Sequence, residues 1–105
     1  MSYNKSPLAF DDIREAFERA LNAERGIRIT CVSRGAATIL RARFNYFRWM
    51  NRKENAHTYE PDHPMWNRSV YDRLVLRIPP KGSPEEAVLY IEPRLVSSLS
   101  IEEIT

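Results

Sequence analysis

The stretch IRITCVSRGAATILRARFNYFRWMNR, residues 27–52, changes from strand periodicity to helix periodicity at Ser33. Its first six residues are rich in β-branched side chains and roughly alternate between apolar and polar, which is typical of a strand. Ser33 offers a hydroxyl that can cap a helix, and beyond it apolar residues recur at helical spacing as far as Arg52. The stretch therefore predicts a strand over 27–32 followed by a helix over 34–52.

The flanking sequence predicts one more helix and two more strands. Ser6-Pro7 is typical of a helix start, and Gly26 of a helix end, so the first helix is predicted over 8–24. Residues 70–78 alternate between two faces, a proline-rich turn follows at 79–84, and residues 87–92 are again strand-like. These last two strands are predicted to form an antiparallel hairpin with a loop of several residues.

The order helix, strand, helix, strand, strand indicates a small α+β domain. We expect two helices packed on one face of a small mixed sheet, with the first strand crossing to the second through the second helix. The chain is predicted to be one domain, 1–105, with a long polar loop at 53–69. The tail, 94–105, carries apolar residues that we expect to pack on the core.

Basic and acidic residues are segregated along the chain. Residues 25–53 hold eight basic residues and no acidic one, whereas the other 76 hold eight basic and fourteen acidic, so the net charge of +2 divides into +8 and −6 (8 − 14). Thirteen of the sixteen basic residues are arginine, whose planar guanidinium pairs well with phosphate and with guanine edges. Such a field predicts a partner of opposite sign, either nucleic acid or an acidic protein surface.

The overall composition argues against several classes of protein. Apolar and charged fractions of 43% and 29% are those of a globular protein, and the single cysteine allows no intramolecular disulfide, which favours the cytoplasm. No apolar run approaches the roughly 20 residues that span a bilayer, and the N-terminus lacks the apolar core of a secretory signal. We therefore expect a cytoplasmic protein with no membrane partner.

The predicted second helix carries a stripe of arginines. When residues are placed at 100° intervals around the helix axis, five of them fall within about 40° of Arg34. Together with Arg34 they form a row about 27 Å long. We call these residues the arginine stripe: Arg34, Thr38, Arg41, Asn45, Arg48 and Arg52. Arginines can neutralise phosphates, Thr38 and Asn45 can read base edges, and Trp49 at the stripe's edge can stack on an unpaired base. Predicted nucleic-acid contacts are the stripe together with Trp49, Lys53, Arg28 and Ser33.

Three further features of the second helix bear on this prediction of nucleic-acid binding. A solvated helix face ordinarily mixes charges of both signs, and the absence of any acid here favours binding over that alternative. Ser33 and the small residues after it could leave first-turn amides open to a phosphate, although such a cap is also routine. Arg43 falls in the middle of the apolar arc, so either the helix projects past the sheet and Arg43 reaches solvent, or it pairs with Glu92 or Asp72, and we favour the ion pair.

The residues that could support chemistry form no recognisable site. His57 and His63 flank Glu60 and Asp62 without a metal-ligand spacing, so we expect no metal, no other cofactor and no enzymatic activity. Cys31 has no base in a recognisable motif and is expected to be a buried structural thiol. Trp66, which follows Pro64, is expected to fold back on the core, and the alternative is an exposed aromatic that binds a partner.

The hypothesis favoured by these patterns is a small non-enzymatic protein that binds DNA or RNA mainly through the phosphate backbone. No helix-turn-helix, zinc finger or other sequence-reading motif accompanies the stripe, so specificity is expected to be modest. The alternative is a protein-interaction module that docks its basic helix on an acidic partner or on a second copy of itself. A compact, arginine-rich chain without a familiar motif is also typical of small viral or mobile-element proteins.

Overall fold

The structure is a computed structural model that describes residues 10–94. It contains the helices α1 (Phe10–Asn22) and α2 (Arg34–Thr58) and the strands β1 (Ile27–Thr30), β2 (Leu74–Arg77) and β3 (Val88–Pro93). The predicted order and the α+β class are confirmed. The predicted helical residues 8 and 9, and the predicted packing of the tail beyond residue 94, lie outside the described residues.

The three strands form a sheet in which β3 is central. It pairs with β1 on one side and β2 on the other, and both pairings are antiparallel, with Ile91 opposite Ile27 and Leu76. The predicted β2–β3 hairpin and the crossover through α2 are confirmed. The sheet is not mixed as predicted, because β1 and β2, which run in the same direction, are separated by β3 and never pair.

Both helices pack on one face of this sheet. Ile13 and Phe17 of α1, together with Phe44 of α2, are fully buried against Leu89 and Ile91 of β3. The Phe17 ring lies edge-on to Phe44, with centroids 4.8 Å apart, and stacks on Tyr71 at 4.7 Å. Aromatic pairs of this geometry add to the stabilisation that comes from burying their area.

Helix α2 extends six residues beyond its predicted end at Arg52. No glycine or proline interrupts residues 53–58, and the helix ends only where the backbone N–H of Tyr59 donates to the Asn55 carbonyl. The predicted loop over 53–69 is therefore shorter and begins at Tyr59. The additional turns carry Lys53 and His57 on a helix and not on a loop.

The first and second strands are shorter than predicted, and at the second strand the reason is that local hydrogen bonds compete with the sheet. The Ser69 hydroxyl accepts from the Tyr71 N–H, and the Asp72 carboxylate accepts from the Ser69 N–H, which folds Val70–Arg73 into a 3₁₀ turn before β2. At the end of β1, Val32 is 97% exposed and lies outside the strand.

Gly26 connects α1 to β1 at a point of close backbone contact. Its φ is +84°, and a Cβ at this position would lie 2.1 Å from the Ile91 carbonyl oxygen. Its N–H donates to the Ala23 carbonyl at 3.2 Å, consistent with the turn predicted at the end of the first helix. Only glycine can place β1 this close to β3 with that backbone conformation.

Candidate functional site on the second helix

Helix α2 is rotated about its axis relative to the prediction. Its buried residues are Ala37, Phe44 and Phe47, which centre about 270° from Arg34 at 100° per residue. Ile39 and Tyr46, which lie on the apolar arc of the helical wheel, are 61% and 54% exposed. They are exposed because the apolar arc of α2 is wider than the face that the helix buries. The rotation brings the arginine stripe against the sheet's edge.

Arg34, at the start of the stripe, binds the loop that joins β2 to β3. One of its terminal nitrogens donates to the Pro79 carbonyl and lies 3.4 Å from the Glu86 carbonyl oxygen. The Ser33 hydroxyl accepts from the Ala36 N–H at 3.1 Å, so Ser33 is the helix cap that the sequence indicated. This guanidinium therefore closes a backbone loop, and its hydrogen-bond partners are neutral.

Arg48 lies deeper than Arg52, with a side chain only 12% exposed against 35%. Its Nη1 donates to the carbonyl oxygens of Tyr71 at 3.0 Å and Leu74 at 2.8 Å, and its Nη2 donates to Asn45 at 2.9 Å. Burial lowers the pKa of Arg48, and the nearby Asp72 carboxylate opposes that shift. The side chain anchors α2 to the turn that precedes β2.

Arg52 forms the strongest ion pair of the stripe. Its Nη2 lies 2.6 Å from the Asp72 carboxylate, and its Nε donates to the same group at 3.0 Å. Burial would raise the pKa of Asp72, but the hydrogen bonds from Arg52 and from the Ser69 N–H outweigh burial and lower it. Three of the four stripe arginines thus have internal partners, which an isolated helix could not reveal.

The remaining predicted contacts are divided between two surfaces. Thr38 is exposed and donates to the Arg34 carbonyl at 3.0 Å, while Arg41 is half-buried and forms no side-chain hydrogen bond or ion pair within residues 10–94. Arg28 alternates with core residues of β1 and therefore projects from the opposite face of the sheet, 3.8 Å from Glu85. The structure does not bring Arg28 to the exposed face of α2.

Arg43 reaches solvent, which was the less favoured of its two predicted outcomes, and does not form the ion pair. Asp72 is bound by Arg52, and Glu92 by Arg77 at 2.8 Å, whereas Arg43 is exposed and has no ion pair among the described residues. The rotation of α2 explains the difference, because it moves position 43 out of the core.

The solvent face of α2 combines exposed aromatic rings with cations. Tyr46 and Trp49, the latter 48% exposed, stack with centroids 5.9 Å apart, and the Lys53 nitrogen lies 5.8 Å from the Trp49 ring. From the first to the last of its residues this face spans about 21 Å at 1.5 Å per residue. We call it the aromatic-basic face, and its members are Ile39, Arg43, Tyr46, Trp49 and Lys53.

Of the members of this face, Trp49 and Lys53 were among the nucleic-acid contacts predicted from the sequence, whereas Ile39, Arg43 and Tyr46 were not. The available signal was the width of the apolar arc, about 180° from Tyr46 to Ala37, because a helix covering one face of a sheet buries a narrower stripe. Recognising the exposed edge of that arc would have required knowing which edge faces the sheet.

A cavity of about 340 Å³ opens beside the aromatic-basic face, between the start of α1 and the C-terminal half of α2. Phe10, Phe47 and Met50 supply its apolar lining. Polar groups reach it from both helices, and they belong to Arg14, Asn51, Lys53, Glu54 and His57. The Arg14 guanidinium lies 5.5 Å above the Phe47 ring, so the cavity combines aromatic surface with a positive charge.

A larger groove of about 830 Å³ lies near the end of α1 and has mixed charge. Its polar groups are largely used by the fold: Asp72 binds Arg52, Glu18 accepts from the Tyr71 hydroxyl at 2.6 Å, and Arg94 donates to the Asp72 carbonyl at 3.1 Å. Burial and the Glu18 hydrogen bond raise the pKa of Tyr71 to about 12. The polar groups of Asp72, Glu18 and Arg94 in this groove are therefore occupied by contacts that stabilise the fold.

The residues considered for metal binding or catalysis do not form a common site in the described part of the chain. His57 lies in the last turn of α2, whereas His63 stacks on Tyr59 at 4.2 Å and accepts from the Met65 N–H. Within residues 10–94 no three His, Cys, Asp or Glu side chains are grouped to hold a metal. Cys31 is half-buried, and burial raises the pKa of its thiol. Trp66 is exposed and does not return to the core as expected.

Across residues 10–94, no helix is both long and apolar enough to cross a bilayer. Comparison with protein-family models, curated proteins and solved structures finds no match to this chain.

Proposed function

We propose that this protein is a non-enzymatic nucleic-acid-binding protein whose contact surface is the aromatic-basic face of α2. The observation that supports the proposal most directly is the side-by-side exposure of Tyr46, Trp49 and Lys53 on one helix. Aromatic rings beside cations are the usual components of surfaces that hold bases and their phosphates. Residues 25–53 contain no acidic residue to repel a polyanion, and Glu54 is the single acid of α2.

The internal arginines still contribute to the field of this surface. Arg34 donates to neutral carbonyls, so its charge attracts a polyanion even though its hydrogen bonds are occupied. Arg48 also donates to carbonyl oxygens. Arg48 and Arg52 both lie near one carboxylate, Asp72, whose single negative charge balances only one of the two guanidinium charges. The stripe therefore raises the positive potential of α2, while Arg43 and Lys53 are placed to contact phosphates directly.

A protein-docking role is the second candidate, and Ile39 favours it. An isoleucine that is 61% exposed at one end of the face is better suited to an apolar partner surface than to a phosphate backbone. Exposed Tyr, Trp and Arg side chains are also the usual anchors of protein interfaces. In this alternative the partner is an acidic protein or a second copy of the chain.

The proposal is tested by fluorescence anisotropy with labelled DNA and RNA, single- and double-stranded, over a range of salt concentrations. The variant is Arg43→Ala/Lys53→Ala, and its matched control is Arg19→Ala/Arg73→Ala, which removes the same charge from exposed arginines elsewhere. We expect the variant to weaken binding and to flatten the salt slope by about 0.7–0.9 for each phosphate that the protein no longer neutralises. The control should retain the wild-type slope.

Two results would contradict the proposal. One is an equal loss of affinity in both double variants, which would mean that only total charge matters and that α2 is not the contact surface. The other is an absence of binding to any nucleic acid at low salt. In that case sedimentation of the purified protein would test the second copy as the partner of this face.

A cytoplasmic location is part of the same proposal. Its support is the single cysteine in 105 residues, a composition that suits a reducing compartment.

A further inference from the structure

We infer that the cavity between α1 and α2 receives an unpaired nucleobase, so that the preferred ligand is single-stranded nucleic acid. This inference rests on the proposed function, because it specifies what the same surface binds. It is carried by the position of the cavity beside Trp49 and by the chemistry of its lining.

The size and lining of the cavity suit a planar aromatic group. Its volume of about 340 Å³ is at the small end of ligand pockets, which suits a single base and its sugar better than a folded segment. Phe10 of α1 is 42% exposed and Trp49 of α2 is 48% exposed, so both helices offer accessible aromatic surface at the cavity, while Phe47 is buried and packs on Phe10 with ring centroids 5.6 Å apart. A base entering there would be removed from water on its apolar faces.

Polar groups at the cavity can satisfy the edge of such a base. Asn51 offers an amide with both donors and an acceptor, and Glu54 offers a carboxylate acceptor one turn away on the same side of α2. Lys53 supplies positive charge near the aromatic lining, where the phosphates on either side of the base would lie, and Arg14 adds to it although it also pairs with the exposed Asp11 at 3.4 Å. An apolar partner seated there would displace water from Asn51, Lys53 and Glu54 without offering them hydrogen bonds in return.

A duplex can use this arrangement only at an energetic cost. In double-stranded nucleic acid the base faces are stacked on one another, and a base reaches a protein pocket only after unstacking and unpairing, which costs a few kcal/mol. A single strand presents its bases at much lower cost, and each base stacked on an aromatic side chain contributes about 1–3 kcal/mol. The exposed Trp49 and Tyr46 rings extend the same stacking surface along α2.

The experiment uses Trp49 as a reporter. The chain has two tryptophans, and the second, Trp66, does not line the cavity, so Trp66→Phe leaves Trp49 as the only indole. The probes are a single strand of about 12 nucleotides, its duplex, and an abasic strand of the same length and charge. Anisotropy of the labelled probe reports binding, while quenching of Trp49 fluorescence reports stacking.

We expect the single strand to quench Trp49 and to bind at least about tenfold more tightly than the abasic strand or the duplex, as one stacked base would produce. In the same background, Asn51→Leu keeps a side chain of similar size but removes the amide. It should change the ranking of homopolymer strands while leaving their salt dependence unchanged.

The two proposals fail in different ways. If all three probes bind equally and Trp49 is not quenched, the cavity does not receive a base, although the protein still binds nucleic acid. If no probe raises the anisotropy at low salt, the proposed function itself is wrong and this inference fails with it.

Discussion

Arg52 and Asp72 form a two-point ion pair that joins α2 to the turn before β2. The Nε and Nη2 atoms of Arg52 donate to the carboxylate at 3.0 and 2.6 Å, and the same carboxylate accepts the Ser69 N–H at 3.0 Å. A residue that the helical wheel indicated as a phosphate ligand is therefore a structural contact. The exposed cations of α2 lie elsewhere, on the aromatic-basic face.

The stability of the protein should decrease at acidic pH because of Asp72. The pKa of Asp72 is lower in the folded protein than its ordinary value of 3.8, so the unfolded chain binds the proton first as the pH falls. The contribution of Asp72 is complete at neutral pH, begins to be lost near the ordinary value, and is gone below the folded pKa. Urea unfolding of Asp72→Asn across this range should show a flatter dependence on pH.

At neutral pH we expect Asp72→Asn to lower the free energy of unfolding by about 1–2 kcal/mol, a value discounted because both side chains of the pair are partly exposed to solvent. Asp62→Asn, in the exposed loop after α2, is the matched control and should unfold like the wild type. An Asp72→Asn protein with the wild-type pH profile would show that the ion pair does not stabilise the fold.

Gly26→Ala should destabilise the protein by about 2–4 kcal/mol, because a side chain meets both a left-handed backbone conformation and a steric clash. The added Cβ would lie 2.1 Å from the Ile91 carbonyl oxygen. Thermal unfolding followed by circular dichroism measures the effect. Gly82→Ala separates the two causes, since Gly82 also has a positive φ of +94° but has no atom near its Cβ position. Equal losses in both variants would exclude the clash as a cause.

Arg48→Met and Arg43→Met should differ in stability although both remove one charge from α2. Arg48 donates to two carbonyls at the turn before β2, so its loss should cost about 2 kcal/mol, whereas Arg43 is exposed and its loss should stay within about 0.5 kcal/mol. Denaturant titration of the two variants measures the difference. Similar values for the two would mean that α2 is not oriented as described.

The Tyr71 hydroxyl should titrate with a pKa of about 12, because it is removed from water and donates to Glu18. The unfolded chain loses this proton near 10, so the stability that Tyr71 contributes is present below that pH and is lost as the pH rises towards 12. Ultraviolet difference spectra of Tyr71→Phe against the wild type should lack the transition near pH 12. A wild-type transition that ends near 10 would contradict the assignment.

The secondary structure of this chain was more predictable than its candidate site. The periodicity of apolar residues and the capping residues predicted α1, β1, α2 and the β2–β3 hairpin, because both signals depend on residues that are neighbours in the sequence. The ends differed where a competing local contact decided them, as at Ser69 and Asp72. The candidate site differed more, because the role of each arginine depends on acceptors far along the chain, such as the Pro79 carbonyl for Arg34.

The sequence by itself determined that this is an α+β chain with its positive charge concentrated on one helix. Composition and periodicity are properties of the chain, so no fold was needed to read them. Only the tertiary structure decided which side of α2 is covered, since its apolar arc is wider than the contact with the sheet. That packing buried Phe44, directed Arg48 and Arg52 to internal acceptors, and left Tyr46, Trp49 and Lys53 in solvent.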